Sequence, residues 1–234
     1  MSDRLENPNY AQFVSAVIKL EPLLDQIAFV GGCVIGLLIT DPGAAPVRTT
    51  LDVDAIVEIS SYTEFAVLGD RLRHLGFRES HAEGAPICRW THEDLVLDLM
   101  PTDPLILGFS NRWYLPALRS SHRILVRNHN ASVITAPYFL ATKLEAFHGR
   151  GRGDYAASHD LEDMIAVLDG RPEIVDEVRQ SDPQLRRYLS DEFVSLLATP
   201  DLLDALPGYL PPDAASQQRL GTVLDRARSL VVES

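Results

Sequence analysis

Nine residues, Leu51–Ile59, constrain the fold of this chain more than any other stretch. Val53, Ala55, Val57 and Ile59 alternate with Asp52, Asp54, Ile56 and Glu58. That period of two predicts a strand with an aliphatic face and a face carrying two carboxylates. At about 3.3 Å per residue, Asp52 and Asp54 stand roughly 6–7 Å apart and point the same way. A third carboxylate, Asp98, interrupts the aliphatic run Leu95–Met100, with Leu95, Leu97 and Leu99 on the opposite face. An ionised carboxylate in such a strand needs a metal, an arginine or a sheet-edge position to offset its desolvation.

The remaining pattern is mixed α/β up to about residue 135 and helical after it. Residues 10–27 read as a helix kinked or split at Pro22. Ala28–Val30 is a short strand or turn entry, and Gly31-Gly32 marks a tight turn or a close backbone approach. A short helix over 33–39 and a loop at Thr40–Pro46 follow. Glu64–Leu75 is a helix stopped by Gly76. Strands are expected at Phe77–Glu79, Ile87–Thr91, Asp94–Met100, Arg123–Val126 and Ser132–Ile134, with the second and third joined around His92-Glu93. Pro137 opens a helix over Tyr138–Phe147, and Ser158 or Asp160 begins one through Leu168. Further helices are expected at Pro172–Arg179, Pro183–Ala198, Asp201–Leu206 and Ala214–Val232. The fold class is therefore α/β, a mixed twisted sheet flanked by helices. The α/β core spans 1–135, and a helical region, 136–234, packs on it.

Of the 234 residues 46% are apolar, enough for a sizeable core, and 23% are charged, which excludes a disordered chain. The two cysteines, Cys33 and Cys88, lie in apolar surroundings and form no disulfide framework, which fits a reducing cytoplasm. The opening MSDRLENPNY lacks the cationic-then-apolar pattern of a signal peptide, and the longest apolar run, Ile27–Ile39, is too short to span a bilayer. The net charge of -12 disfavours broad capture of nucleic acid. Yet Phe109–Asn130 holds Arg112, Arg119, Arg123 and Arg127 and no acid, so a local basic groove is compatible with the acidic whole.

Carboxylates at this spacing suit a pair of divalent ions about 3.5–4 Å apart. Mg²⁺ fits best, because it takes oxygen ligands and shares its shell with substrate phosphates. Zinc fits poorly, since the histidines form no ligand pattern. Gly31-Gly32 before a short helix offers backbone N–H groups to phosphate oxygens, or is simply a turn. It is neither a P-loop nor a dinucleotide fingerprint. Lys143 borders the buried face of its helix, either extending to solvent or clamping phosphate. Asp160 and Asp163, at i and i+3, share a helix flank; Asp160 either caps the helix dipole or orients Lys143 or an arginine. Arg48 is expected to hold a carboxylate in place. Arg150 and Arg152 close over a substrate or pair with surface acids.

The segments FVGGCVIG, RTTLDVDAIVEI, LVLDLMP and PYFLATKLEAFHGRGRGDYAASHDLEDMIAVL, within about residues 25–170, resemble bacterial nucleotidyltransferases of the DNA polymerase β-like superfamily. The likeness is strongest to the AbiEii/AbiGii-like branch, which includes toxins of toxin–antitoxin and phage-defence systems. The resemblance implies the nucleotidyltransferase fold. It implies that Gly31 and Gly32 hold nucleotide phosphate, and that Asp52 and Asp54, with Asp98 as third carboxylate, bind metal and carry catalysis. Lys143 then contacts phosphate, and Asp160 is the acid of the next helical motif. Where the family often has Gly-Ser, this chain has Gly-Gly. The implied chemistry uses two Mg²⁺ ions. It moves a nucleoside monophosphate from an NTP such as ATP to a hydroxyl and releases pyrophosphate. The acceptor is RNA (a tRNA end in toxin members), a protein or a small molecule. A cognate antitoxin is the implied protein partner, and no membrane is involved. Two other outcomes fit the same residues: an inactive relative that binds a partner, and a metal-dependent phosphohydrolase.

Overall fold

A computed structural model describes residues 8–150 and 153–231, and their contacts divide into two compact units. The first comprises the described residues up to Gly36 together with Thr49–Thr135; the second joins Leu37–Arg48 to the residues from Ala136 onward.

In chain order the first stretch gives α1 (Pro8–Lys19), β1 (Ile27–Val30), α2 (Ile35–Leu38), β2 (Val53–Val57), α3 (Tyr62–His74), β3 (Arg78–Glu79), β4 (Arg89–His92) and β5 (Leu95–Pro101). Then come α4 (Pro104–Leu107), α5 (Tyr114–Arg119), β6 (His122–Val126) and β7 (His129–Val133). The helix expected over 10–27 ends at Lys19, and Pro22 sits in a 3-10 turn over Glu21–Leu23. Ile27 belongs instead to β1, whose four residues are all buried. The short helices α4 and α5 had no apolar period long enough to announce them.

The seven strands form one mixed sheet in the order β3-β4-β5-β2-β1-β7-β6. β2 lies at its centre, antiparallel to β1 and parallel to β5. β4 and β5 form a hairpin whose closing pair is His92 and Leu95, and Glu93 takes a positive φ of 52° in the turn. The aliphatic face of β2 is closed from water: Val53 and Ala55 are fully buried and Val57 nearly so. α1 packs on the sheet, with Phe13 edge-on to Phe29 at 4.9 Å between ring centroids. Ser61 caps α3 through Glu64 N–H, and Glu64 reaches back to Ser60 N–H, a reciprocal cap that fixes the helix start.

The second unit is helical: α6 (Ala136–Arg150), α7 (His159–Gly170), α8 (Ile174–Gln180), α9 (Pro183–Leu197), α10 (Pro200–Ala205), α11 (Ala214–Gln218) and α12 (Leu220–Ser229). The single helix expected over 214–232 is two, parted at Arg219; Val232 lies outside the described residues. Met164, Ile165, Leu168, Phe193, Leu196, Leu202, Leu206 and Val223 are buried and close the helices around one apolar centre. Leu203 is exposed.

Polar bonds tie Leu37–Arg48 to these helices. Thr40 and Asp41 N–H both donate to Gly170 C=O, at 2.9 and 3.0 Å. Arg219 binds Asp41 at 2.7 Å and Asp169 at 2.6 Å, and Arg171 donates to Leu38 C=O. Gly170 is required at that crossing, because a Cβ there would lie 2.7 Å from Ile39 Cγ2 and 3.0 Å from Ala44 Cβ. Gly170→Ala is therefore expected to lower stability by about 1–3 kcal/mol, measured by urea unfolding. An unchanged midpoint would contradict this packing.

Candidate functional site

The carboxylates of the sequence pattern fall in one row across the sheet. Val30 of β1 lies opposite Asp54, Asp54 opposite Asp98 of β5, and Asp98 opposite Arg89 of β4. Residues directly opposed on paired strands share a face. Asp52 sits two residues before Asp54, on the same face. The three aspartates therefore face one way, at the centre of the sheet.

Arg89, absent from the sequence-derived candidates, joins two of them, Asp98 and Asp52. Its Nε donates to Asp98 Oδ1 at 2.8 Å and its Nη2 to Asp98 Oδ2 at 2.7 Å. The same Nη2 donates to Asp52 Oδ2, also at 2.7 Å. Asp98 is buried, and Arg89 answers the question of what offsets its charge. The hydrogen bond to Asp98 is the largest influence on Arg89 and holds its pKa above the ordinary arginine value. Asp52 is fixed from the other side: Thr50 Oγ1 donates to Asp52 Oδ1 at 2.8 Å, and buried Asn9 accepts from Thr50 N–H at 2.9 Å. One signal could have exposed Arg89. It is the cationic residue that a two-residue hairpin loop places opposite Asp98.

Asp54 presses on the glycine turn. A Cβ on Gly31 would lie 1.9 Å from Asp54 Oδ2, and Gly31 has a φ of 69°. Both facts require glycine, so the close backbone approach read from Gly31-Gly32 is present. Gly32 is buried and opens a 3-10 turn, Gly32–Val34, that runs into α2.

The residues fit a hard divalent cation in type, since all are carboxylate oxygens, and in face. The guanidinium of Arg89 marks the spot as one that takes positive charge. As arranged, however, no group of three or more His, Cys, Asp or Glu side chains among the described residues is set to hold a metal ion. Arg89 already bonds both oxygens of Asp98 and one of Asp52.

A second polar cluster lies inside the helical unit. Lys143 of α6 does not extend to solvent. Its Nζ lies 2.6 Å from Asp163 Oδ2 and 3.2 Å from Asp160 Oδ1, both on α7. Arg48 also takes Asp163, with Nε to Oδ1 at 2.6 Å and Nη2 to Oδ2 at 2.9 Å. Arg48 thus holds a carboxylate as expected, but on α7 and not on the strand that follows it. Burial works to lower the Arg48 pKa, yet the bond to Asp163 leaves it raised. Two cations balance two carboxylates, with the Asp163 side chain fully buried between the cations. Ser158 caps α7.

The basic stretch is partly neutralised. Arg119 pairs with Glu58 and Arg123 with Asp25, each at 2.7 Å. Arg112 lies over the Trp113 ring. The Arg150 side chain and Arg152 lie outside the described residues. No helix among the described residues is long and apolar enough to cross a membrane.

In solved structures the chain is similar to an antigenic nucleotidyltransferase-like protein from Paracoccidioides brasiliensis. The TM-score is 0.51 and the identity 18%, over 85% of this chain and 93% of that one. It also matches JHP933 from Helicobacter pylori, at a TM-score of 0.44 and 14% identity, over 96% of this chain and 91% of the other. No family model and no curated protein matches the chain. The first likeness establishes a nucleotidyltransferase-like fold.

Two outcomes test this geometry. Asp163→Asn leaves Lys143 and Arg48 with too little negative charge and is expected to cost about 3–5 kcal/mol in urea unfolding. Burial, reinforced by the charge of Asp98, pushes the Cys88 thiol up to about 12. It stays neutral in the fold while the unfolded thiol ionises near 9, so its contribution to stability is complete below that pH and falls as pH rises from there toward about 12. At pH 8 iodoacetamide should label Cys88 more slowly in the folded than in the unfolded chain, read by mass spectrometry.

Proposed function

We propose that this protein is a metal-dependent nucleotidyltransferase, which transfers a nucleoside monophosphate from an NTP to a hydroxyl acceptor. The observation that carries this reading is the row of Asp54 and Asp98 beside Asp52, facing one way next to a glycine turn that no other residue can replace. The nucleotidyltransferase-like fold supports it. Asp52, Asp54 and Asp98 would hold Mg²⁺, which when bound neutralises triphosphate charge. The backbone N–H groups at Gly31-Gly32 receive phosphate oxygens. The acceptor oxygen attacks the α-phosphorus, the bond from the α-phosphorus to the bridging oxygen breaks, and pyrophosphate leaves with the electron pair. The acceptor proton passes to a carboxylate of the row. Lys143 and Asp160, which the motif resemblance assigns to phosphate contact and to the next helical motif, pair with each other within the helical unit.

The acceptor class we favour is RNA, on the strength of the arginines in Phe109–Asn130, although the net charge of -12 and the ion pairs of Arg119 and Arg123 weigh against it. An AbiEii/AbiGii-type toxin role, with a cognate antitoxin as partner, rests on the resemblance of the motifs alone. The Arg89 bonds favour a second reading, an inactive fold that binds a partner, because they already engage both oxygens of Asp98 and one of Asp52.

Incubating the protein with α-labelled NTPs, Mg²⁺ and cell-extract RNA distinguishes the two. Transfer of label with pyrophosphate release, reduced about 10²–10⁴-fold by Asp54→Asn, is expected. Calorimetry with each NTP should show binding that requires Mg²⁺. Absence of both sinks the enzymatic reading. Release of inorganic phosphate in place of pyrophosphate identifies a phosphohydrolase.

A further inference from the structure

The sheet ends in two unlike edges. β3, at one edge, is two residues long and both are charged, Arg78 and Glu79. A short, charged edge resists pairing with another strand. β6, at the other edge, is the five-residue run His122-Arg123-Ile124-Leu125-Val126, with neither proline nor glycine. It pairs with β7 through a two-residue loop that closes on Val126 and His129. In such a hairpin the closing pair exchanges both of its bonds, and bonded and non-bonded pairs then alternate. His122, Ile124 and Val126 therefore bond β7, while Arg123 and Leu125 turn their N–H and C=O groups outward. Among the described residues no turn or loop backbone takes those groups. Leu125 is 72% exposed. Arg123, on the same face, is drawn back over the sheet: it pairs with Asp25, which precedes β1, two strands in. The edge beside Leu125 is thus open, aliphatic and unguarded.

We propose that β6 is an interface between two copies of this chain, which join antiparallel along their β6 edges into one continuous sheet. The outward groups fix the register, because outward groups must meet outward groups across a two-fold axis. Centred on Arg123, the pairing opposes two arginines directly. Centred on Leu125, it opposes Arg123 to Arg127 of the partner subunit. Centred on Ile124, it opposes Arg123 to the partner's Leu125, and no like charges face each other. The aliphatic stem of arginine then lies along leucine, and Leu125 leaves water. In this register each Arg123–Leu125 pair exchanges both of its backbone bonds. Ile124 meets its own counterpart as a non-bonded pair, where side chains come closest. The contact is small and each copy has a net charge of -12, so the dimer is reversible and not obligate. It is independent of the catalytic reading.

Sedimentation equilibrium of the full chain in about 150 mM NaCl, where distant charges are screened, should show a monomer–dimer equilibrium with a Kd on the order of 10–100 μM. Leu125→Lys sets a lysine opposite the partner's Arg123, twice per dimer, and should weaken association about ten-fold or more. Leu125→Glu sets an acid there and should keep the Kd within about three-fold or tighten it. An unspecific apolar contact would weaken with either charge. Leu125 is exposed, so both variants should keep the circular dichroism of the unaltered protein. Under mild oxidation Ile124→Cys should form about ten-fold more disulfide-linked dimer than Leu125→Cys, since Ile124 alone faces its own counterpart. The natural thiols, Cys33 and Cys88, are buried. A chain that stays monomeric up to roughly 500 μM overturns the proposal. So does a dimer that Leu125→Lys leaves intact, or that Leu125→Lys and Leu125→Glu weaken equally. Cross-linking through Leu125→Cys in preference to Ile124→Cys also overturns it, by placing the copies in another register.

Discussion

Charge compensation across neighbouring strands is the constraint on which the sheet centre turns. A carboxylate in the middle of a seven-stranded sheet is costly to desolvate, and Asp98 is buried there. The Arg89 guanidinium meets it from the adjacent strand with a planar fork that matches the carboxylate, and extends to Asp52 as well. Lysine, a point charge on a flexible stem, would lack the planar fork that takes both oxygens of Asp98. Fixing these two side chains also fixes where Asp54 stands, because the register of β2 on β5 places Asp54 opposite Asp98. Asp54 in turn leaves room for nothing larger than glycine at position 31.

The helical unit obeys the same rule with different parts. Lys143, Arg48, Asp160 and Asp163 form a cluster in which two positive and two negative side chains cancel. Such a cluster adds little net stability compared with apolar packing, but losing one member strands a buried charge. Its effect is to specify arrangement: the segment ending at Arg48 is tied to α7, as Arg219 and Arg171 tie its earlier part. The segment between the short α2 and the central strand is therefore grouped with the helices by polar bonds, although in sequence it lies within the α/β part.

The consequence is that Asp52 and Asp98 are held in place by a protein cation. Preorganised carboxylates on strands are held more firmly than any loop would hold them. The nucleotidyltransferase-like fold supplies the strands, and the register of three strand pairs supplies the row.

Much of this was legible in the sequence because it is local. The alternation in Leu51–Ile59 gave a strand with two carboxylates on one side, Gly31-Gly32 a tight turn or close approach, and Ser158 or Asp160 a helix start. The break at Pro22 was visible, but not the strand that begins at Ile27, because an apolar residue at helical spacing fits either period. The contact of Arg89 with Asp52 and the pairing of Arg48 with Asp163 were not legible, since partners 37 and 115 residues apart meet only once strand register and helix docking are set. Periodicity thus determined by itself which way the side chains of the central strand face, because strand geometry alternates residue by residue. Tertiary structure alone decided which charges meet, because electrostatic partners are chosen by proximity in space and the sequence carries no measure of that.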